Sequence, residues 1–268
     1  MKYAVGLNYF KNRCPARFFD EGIAEQHCVT FAAGLSVGGM LPVFAVYSTF
    51  LQRGFDQIIH DCAIENTHIT LCIDRAGFVG EDGETHQGIF DVPMLRAIPN
   101  TTIYAPATFE ELRRCLMRAI YDTEGIAAVR YPKGAELSVA GVKIAPAIDL
   151  FYSGKRSSTL GITYGKISAN LIKAASDTGA DFVRLVVINP LPWSIYEIAL
   201  GYEKIVFFEE SSLNGGVAEG FFAELLKRGY RGKAEAVGVS GEFVPAASQA
   251  EQLEMYGLDI ESMKEKLV

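Results

Sequence analysis

Cysteine is scarce and carries no pattern. The five residues, Cys14, Cys28, Cys62, Cys72 and Cys115, form no C-x-x-C pair. An odd count without such pairs excludes a disulfide framework and a cysteine-built zinc site. Cys28, Cys62 and Cys72 fall on apolar faces, which predicts small core residues and fits a reducing cytoplasm. His60 and His68 lack ligand spacing and read as structural, and no carboxylate cluster of the kind that holds Mg²⁺ is evident, so no metal ligand is expected in this chain. Basic residues are outnumbered, 25 against 32 acids, and the net charge of −7 argues against a general nucleic-acid partner. No apolar run approaches the length that spans a bilayer. No secretory leader is visible, and the expected location is cytoplasmic. The first 19 residues lack acids and carry Lys2, Lys11, Arg13 and Arg17; the expected reading is a surface helix, not a targeting segment. There is no P-loop, no G-x-G-x-x-G after a strand, no internal repeat and no low-complexity tract.

What remains is an ordinary globular composition. The 268 residues are 49% hydrophobic and 21% charged, enough for a sizeable core in one large or two ordinary domains. The chain is organised around residues 18 to 57. Phe18-Phe19 reads as a strand end, and Asp20 as the cap of a helix with Glu25 near its first turn. Ala24, Cys28 and Ala32 recur every four residues, a small-residue face that admits another helix closely. Gly38-Gly39 stops that helix. Val43 to Tyr47 is an unalternating apolar run, as in a strand buried on both faces. Thr49 to Gln52 reads as a capping box, and Leu51, Phe55, Ile58, Ile59 and Cys62 keep helical spacing. Glu25, Tyr47 and Phe50 thus fall at element ends, where parallel sheets bind ligands.

The pattern repeats downstream. Ile69 to Ile73, Thr102 to Tyr104 and Ala127 to Arg130 read as strands. Thr108 and Glu111 box the start of a helix reaching about Tyr121. Alternating strands and helices predict an α/β fold with parallel sheets. Residues 132 to 156 lose periodicity, with room for one strand, and the boundary is set near 145. A second α/β unit follows, giving domains 1–145 and 146–268. Its strands are expected at 158–163, 183–188, 205–208 and 234–239. Its helices are expected at 167–178, 194–200, 216–228, 248–256 and 260–267.

Between the second strand and its successor lies a polar loop, residues 74 to 91, turn-rich through Gly77, Gly80, Gly83 and Gly88. It offers Arg75, Asp82 and His86. An arginine fork suits phosphate oxygens; an acid and a histidine suit proton transfer and orientation of hydroxyls. The same residues also read as ordinary loop charges. Glu25 is either a reactive carboxyl or an acid complementing a helix dipole. Phe50 is a stacking face or a core residue, and Arg53 a binding residue or a solvated helix charge.

The motifs GIAEQH and YSTFLQR-x-x-DQ resemble the pyrimidine-binding domain of thiamine-diphosphate enzymes of the transketolase type. The likeness continues through DRAGFVGEDGETHQG, RAIPN, YAP and AVRYPKG, where it is similar to 1-deoxy-D-xylulose-5-phosphate synthases, then thins through FFEES and YGLD. The implied fold is a pyrimidine-binding domain followed by a transketolase C-terminal-like domain. The implied reaction joins pyruvate and glyceraldehyde 3-phosphate, with loss of CO₂, in isoprenoid and thiamine biosynthesis. The resemblance makes Glu25 the acid at pyrimidine N1′ of thiamine diphosphate; a carboxyl partly removed from water suits that role. It puts Phe50 and Arg53 beside the pyrimidine ring and Tyr47 toward the substrate phosphate. Arg75 would meet that phosphate, with Asp82 and His86 near the hydroxyl and carbonyl. His27 would brace the Glu25 helix. Lys133 departs from the family's usual arginine after YP, keeping the charge without the fork. The tract VSGEFVPAASQ lacks the family's usual charged pairs, which implies a domain mostly for assembly.

The family's cofactor-phosphate domain, with its Gly-Asp-Gly motif and Mg²⁺, is not found in this sequence. The expectation is that this chain holds only the pyrimidine end and needs that domain, in the same polypeptide or a partner chain, for activity. The alternatives are the C-terminal subunit of a split transketolase, the β subunit of a 2-oxo-acid dehydrogenase, and a non-catalytic assembly protein of the same fold. The small-residue face and the resemblance both predict a homodimer. Sedimentation at micromolar concentration should give a dimer; a monomer there would refute the pairing.

Overall fold

The computed structural model describes residues 5–154 and 157–268, so Lys2 of the basic stretch lies outside the described residues. Parallel sheets need both faces covered, and the continuously apolar strands show it: Ile69–Asp74 and Thr159–Tyr164 are buried at every position. Among the described residues ten strands make two sheets. The first holds β1 (Val43–Tyr47), β2 (Ile69–Asp74), β3 (Thr101–Tyr104) and β4 (Ile126–Tyr131), all parallel, in the order β1-β2-β4-β3. The second is built from β5 (Leu150–Ser153), β6 (Thr159–Tyr164), β7 (Asp181–Leu185), β9 (Lys204–Ser212) and β10 (Lys233–Val239), in the order β10-β9-β6-β7-β5. It is parallel except for β5, which runs antiparallel to β7. The remaining strand, β8 (Val187–Asn189), crosses back and pairs antiparallel with β3.

Eleven α-helices are found among the described residues. In the first half they are α1 (Asn8–Arg13), α2 (Glu25–Val37), α3 (Ser48–Leu51), α4 (Phe55–Gln57), α5 (Asp91–Arg96) and α6 (Phe109–Tyr121). In the second they are α7 (Ser168–Thr178), α8 (Ser194–Ala199), α9 (Val217–Lys227), α10 (Gln249–Met255) and α11 (Ile260–Leu267). The expected helices of the second unit are all present within a residue or two. Ser248 and Glu251 form a reciprocal capping box at α10, and Asp259 caps α11.

Several local expectations are corrected. The strand expected at 183–188 is split between β7 and β8, which lie in different sheets. Phe18-Phe19 is not a strand end, and Asp20 is not the cap of α2, which starts at Glu25 with Ala24 at its N-cap. The Thr49 box does not form: α3 starts at Ser48, with no side-chain cap. The helix expected after it is broken into α3, a 3₁₀ turn, α4 and a π turn over Ile58–Ala63. Gly54 shows the cause. A Cβ there would lie 2.9 Å from Val29 Cγ2 and 3.4 Å from the Glu25 carbonyl oxygen, so the segment presses on α2 more closely than a side chain permits. At α6 only half of the expected box forms. Thr108 caps by accepting from the Glu111 amide, but the Glu111 carboxylate goes elsewhere.

It goes into the junction between the sheets. Arg184 Nη1 donates to Glu111 at 2.7 and 2.9 Å, and Nη2 donates to the Ala145 carbonyl. Glu111 also accepts from the amides of Ala107 and Ala147. One apolar core runs through both halves, taking Leu71 and Ile73 from the first sheet and Ile205 and Phe207 from the second. Breaking a buried pair by removing one partner typically costs about 3–5 kcal/mol, and replacing both by apolar groups much less. Arg184→Met should therefore lower urea stability by about that amount, and Glu111→Leu/Arg184→Met by clearly less. Equal losses in the two variants would show that the pair is not what holds the junction.

Candidate functional site

The site is built where strands of the first sheet end. Glu25 opens α2 and is buried, 4% exposed. Its Oε2 lies 3.4 Å from Arg53 Nη1, a long contact to a half-exposed guanidinium. Arg53 is also 4.8 Å from the centre of the Phe50 ring. Phe50 meets Tyr47 at 5.4 Å and the edge of His86 at 5.6 Å. Tyr47 is the last residue of β1, and the Arg75 guanidinium sits 3.9 Å over its ring. Burial pushes the Tyr47 phenol above its usual range, partly offset by Arg75.

Arg75 follows β2 in a left-handed conformation, φ 61°, uncommon for a residue with a side chain and often found where geometry serves a site. It donates to Asp74 at 2.7 Å. Burial nevertheless raises the Asp74 carboxyl above the usual carboxylate range. Arg75 and Lys133 line one cavity of about 480 Å³, together with Asp74, Tyr131, Glu136 and Lys166. Lys133 Nζ also meets Asp82 at 2.7 Å. The candidate residues therefore form one strip of contacts: Glu25, Arg53, Phe50 with His86, Tyr47, Arg75, then across the cavity to Lys133 and Asp82. His27 lies outside it, 3.4 Å from Glu21 and stacked on Phe31.

The loop that carries Asp82 and His86 is held at its base by residues of the second half. Gly77 and Gly88 exchange two backbone bonds. Gly77 lies so close to Glu210 that a Cβ would fall 2.5 Å from its carboxyl carbon. Glu210 accepts from the Phe78 amide at 2.7 Å, and Gln249 donates to the Phe78 carbonyl at 2.9 Å. Gln252, fully buried, accepts from the Gly80 amide, donates back to its carbonyl and donates to Pro245. Lys166 donates to the Phe78 carbonyl at 3.3 Å and pairs with Glu210 at 3.0 Å. The expectation that the second half serves mostly assembly is thus too narrow, since these side chains position the loop. None was singled out from the sequence. Lys166 stands just past the end of β6, a place that strand-end reasoning could have flagged. Gln252 lies in a helix with no outward signal.

Residues 1–136 match the family model described as transketolase, pyrimidine binding domain. The chain belongs to that family. It is 40% identical to 1-deoxy-D-xylulose-5-phosphate synthase of Chlorobaculum tepidum over 280 aligned positions, covering 100% of this chain and 44% of the relative. It is 40% identical to the Bordetella petrii protein of the same name over 266 positions, covering 97% and 42%. The chain spans less than half the length of these relatives. Among solved structures it is similar to a split-gene transketolase, described as an inactive beta4 tetramer, with a TM-score of 0.81 and 25% identity over 96% of this chain and 85% of that one. The transketolase-type fold expected from the motifs, two α/β units with parallel sheets, is the one found.

The glutamine clamp has a direct readout. Gln252→Leu removes the acceptor of the Gly80 amide while keeping apolar bulk. Hydrogen exchange at Gly80 should speed up about tenfold or more, the scale of one lost buried hydrogen bond, with the strands unchanged. Unchanged protection at Gly80 would show that the loop holds itself.

Proposed function

We propose that this chain supplies the pyrimidine-binding unit, residues 1–145, and the C-terminal unit, 146–268, of a 1-deoxy-D-xylulose-5-phosphate synthase. The reaction joins pyruvate and glyceraldehyde 3-phosphate to 1-deoxy-D-xylulose 5-phosphate with release of CO₂, and its product serves isoprenoid and thiamine synthesis. The observation that carries the reading is the strip itself: a buried acid at a helix start, an aromatic cluster, and a cavity lined by cations. The relatives' shared name supports the same reaction.

The residues fit the pyrimidine end of thiamine diphosphate. Glu25 is buried and, among the described residues, its carboxyl has only a long Arg53 contact, which leaves it able to meet an incoming nitrogen. Phe50 supplies ring surface, and the Ser48 and Thr49 hydroxyls beside it are buried without a hydrogen-bond partner among the described residues. When bound, the cofactor supplies a thiazolium carbon that acts as nucleophile toward a 2-oxo acid. Glu25 holds or releases the proton at pyrimidine N1′. Arg53 steadies that carboxylate. Arg75 and Lys133 bind the phosphate of the second substrate, with Tyr47 flanking Arg75. Asp82 and His86 orient its hydroxyl and carbonyl groups and move protons there.

The diphosphate and its Mg²⁺ belong to a cofactor-phosphate domain in cis or in a partner chain. One observation supports that arrangement. The structural neighbour is itself named a split-gene transketolase. The five free thiols support a reducing, cytoplasmic setting, and no helix among the described residues is long and apolar enough to cross a membrane. The half-buried Ala24 and Cys28 and the exposed Val37, Met40 and Leu41 support a homodimer.

The test reunites this chain with a cofactor-phosphate domain. Glu25→Gln should slow hydrogen–deuterium exchange at C2 of the cofactor by about 10²–10⁴-fold while changing its affinity little. Phe50→Ala should do the reverse, weakening affinity more than exchange. The chain alone, with thiamine diphosphate and Mg²⁺, should form no product. Wild-type exchange in Glu25→Gln would overturn the catalytic reading, and product from the isolated chain would overturn the need for a cofactor-phosphate domain.

A further inference from the structure

The cavity contains one cation that the proposed function does not use. Lys166 comes from the turn after β6, in the second half of the chain, yet lines the same space as Arg75 and Lys133. Its side chain is only 7% exposed. An ammonium group is rarely buried without a purpose for its charge. Two of its three donors are accounted for: Glu210 Oε1 at 3.0 Å and the Phe78 carbonyl at 3.3 Å. Glu210 divides its attention, because the same oxygen accepts from the Phe78 amide.

Charge in the cavity is balanced in pairs. Arg75 has Asp74, Lys133 has Asp82 and Lys166 has Glu210. A phosphate dianion must compete with these three carboxylates and with Glu136, which also lines the cavity, so each cation it reaches matters. Lys133 offers a point charge in place of a fork, which leaves a shortfall of directed donors on its side. A second ammonium in the wall makes it up.

We propose that Lys166 is a third cation of this cavity and a specificity-determining residue for a phosphorylated substrate, a role that rests on the reading of Arg75 and Lys133 above. The phosphate is then gripped from both halves of the chain. Lys166 also holds the Phe78 carbonyl, and Gln252 holds Gly80 two residues on, so the cation sits at the root of the loop that carries Asp82 and His86. Recognition of the phosphate and placement of that loop share one side chain.

The experiment is calorimetric titration of the full chain with inorganic phosphate and with glyceraldehyde 3-phosphate, at several salt concentrations. The variants are Lys166→Met, Lys166→Arg, the charge-balanced Lys166→Met/Glu210→Gln, and Arg75→Met. The double variant leaves no buried carboxylate unpaired, so it reports binding even if the single one folds poorly. Both variants carrying Lys166→Met should bind inorganic phosphate about tenfold more weakly, the scale of one charge-assisted hydrogen bond, and Lys166→Arg within about threefold of wild type. The salt dependence of binding should flatten in the Met variants, which a merely structural lesion would not cause. Wild-type affinity and salt dependence in the folded double variant, with binding lost in Arg75→Met, would overturn the role of Lys166 and leave the proposed function standing. Failure of the wild-type chain to bind phosphate would overturn both.

Discussion

The buried pair of Glu111 and Arg184 is the constraint on which the two halves depend. Two charges inside a protein are tolerated when their oxygens and donors find partners; both Glu111 oxygens and both Arg184 Nη groups do here, while Arg184 Nε is buried without one among the described residues. That requirement reaches far here. To satisfy Glu111, the amides of Ala107 and Ala147 must converge on it; to satisfy Arg184, the Ala145 carbonyl must as well. Ala107 lies in the wall of the cavity, between β3 and α6, and Ala145 and Ala147 belong to the stretch that enters the second sheet. One ion pair therefore fixes the entry of α6, the path of the connecting stretch and one side of the cavity together.

A second buried network works on the other side. Asp91 and Arg130 pair at 2.8 Å, with Arg130 5.5 Å from the centre of the Tyr164 ring. Burial alone would lower the Arg130 pKa, but Asp91 outweighs it and the guanidinium stays charged. Tyr164 in turn donates to Glu209, which accepts from the first amides of α9. Burial holds the Glu209 carboxyl above the usual carboxylate range, only partly offset by those donors. The start of α5, the end of β4 and the start of α9 are thereby joined through side chains, and the loop between β2 and α5 is stretched across that frame.

Most of the architecture was legible in the sequence because it rests on local pattern. Strands buried on both faces are unbroken apolar runs, and β2 shows it at every position; β1 reads the same way in sequence but lies at the sheet edge with Val43 exposed. Helix starts were legible where the cap and its partner sit three residues apart, as at Thr108. Asp20 misled because a capping residue type was present without the following turn being free to coil. The break after Phe50 was hidden for another reason: Gly54 answers to α2, far away in sequence. The site divided along the same line. Glu25, Phe50 and Arg75 stand at element ends and carry motifs. Lys166, Glu210 and Gln252 act through contacts across 88 to 172 positions, and single-sequence spacing holds no trace of those.

The crossing strand β8 bears on how such a protein can be rearranged. It lies beyond residue 146 in the chain yet closes the β3 edge of the first sheet. A gene cut between the halves would leave that edge with unpaired amides and carbonyls, an open template for any passing strand. The first half released alone is thus a candidate for aggregation, and the second half would carry a short strand with nothing to pair with. Shuffling by recombination is free to add or detach modules on either side of the pair, but a breakpoint inside it is penalised at once. The two halves are expected to travel through evolution as a single cassette.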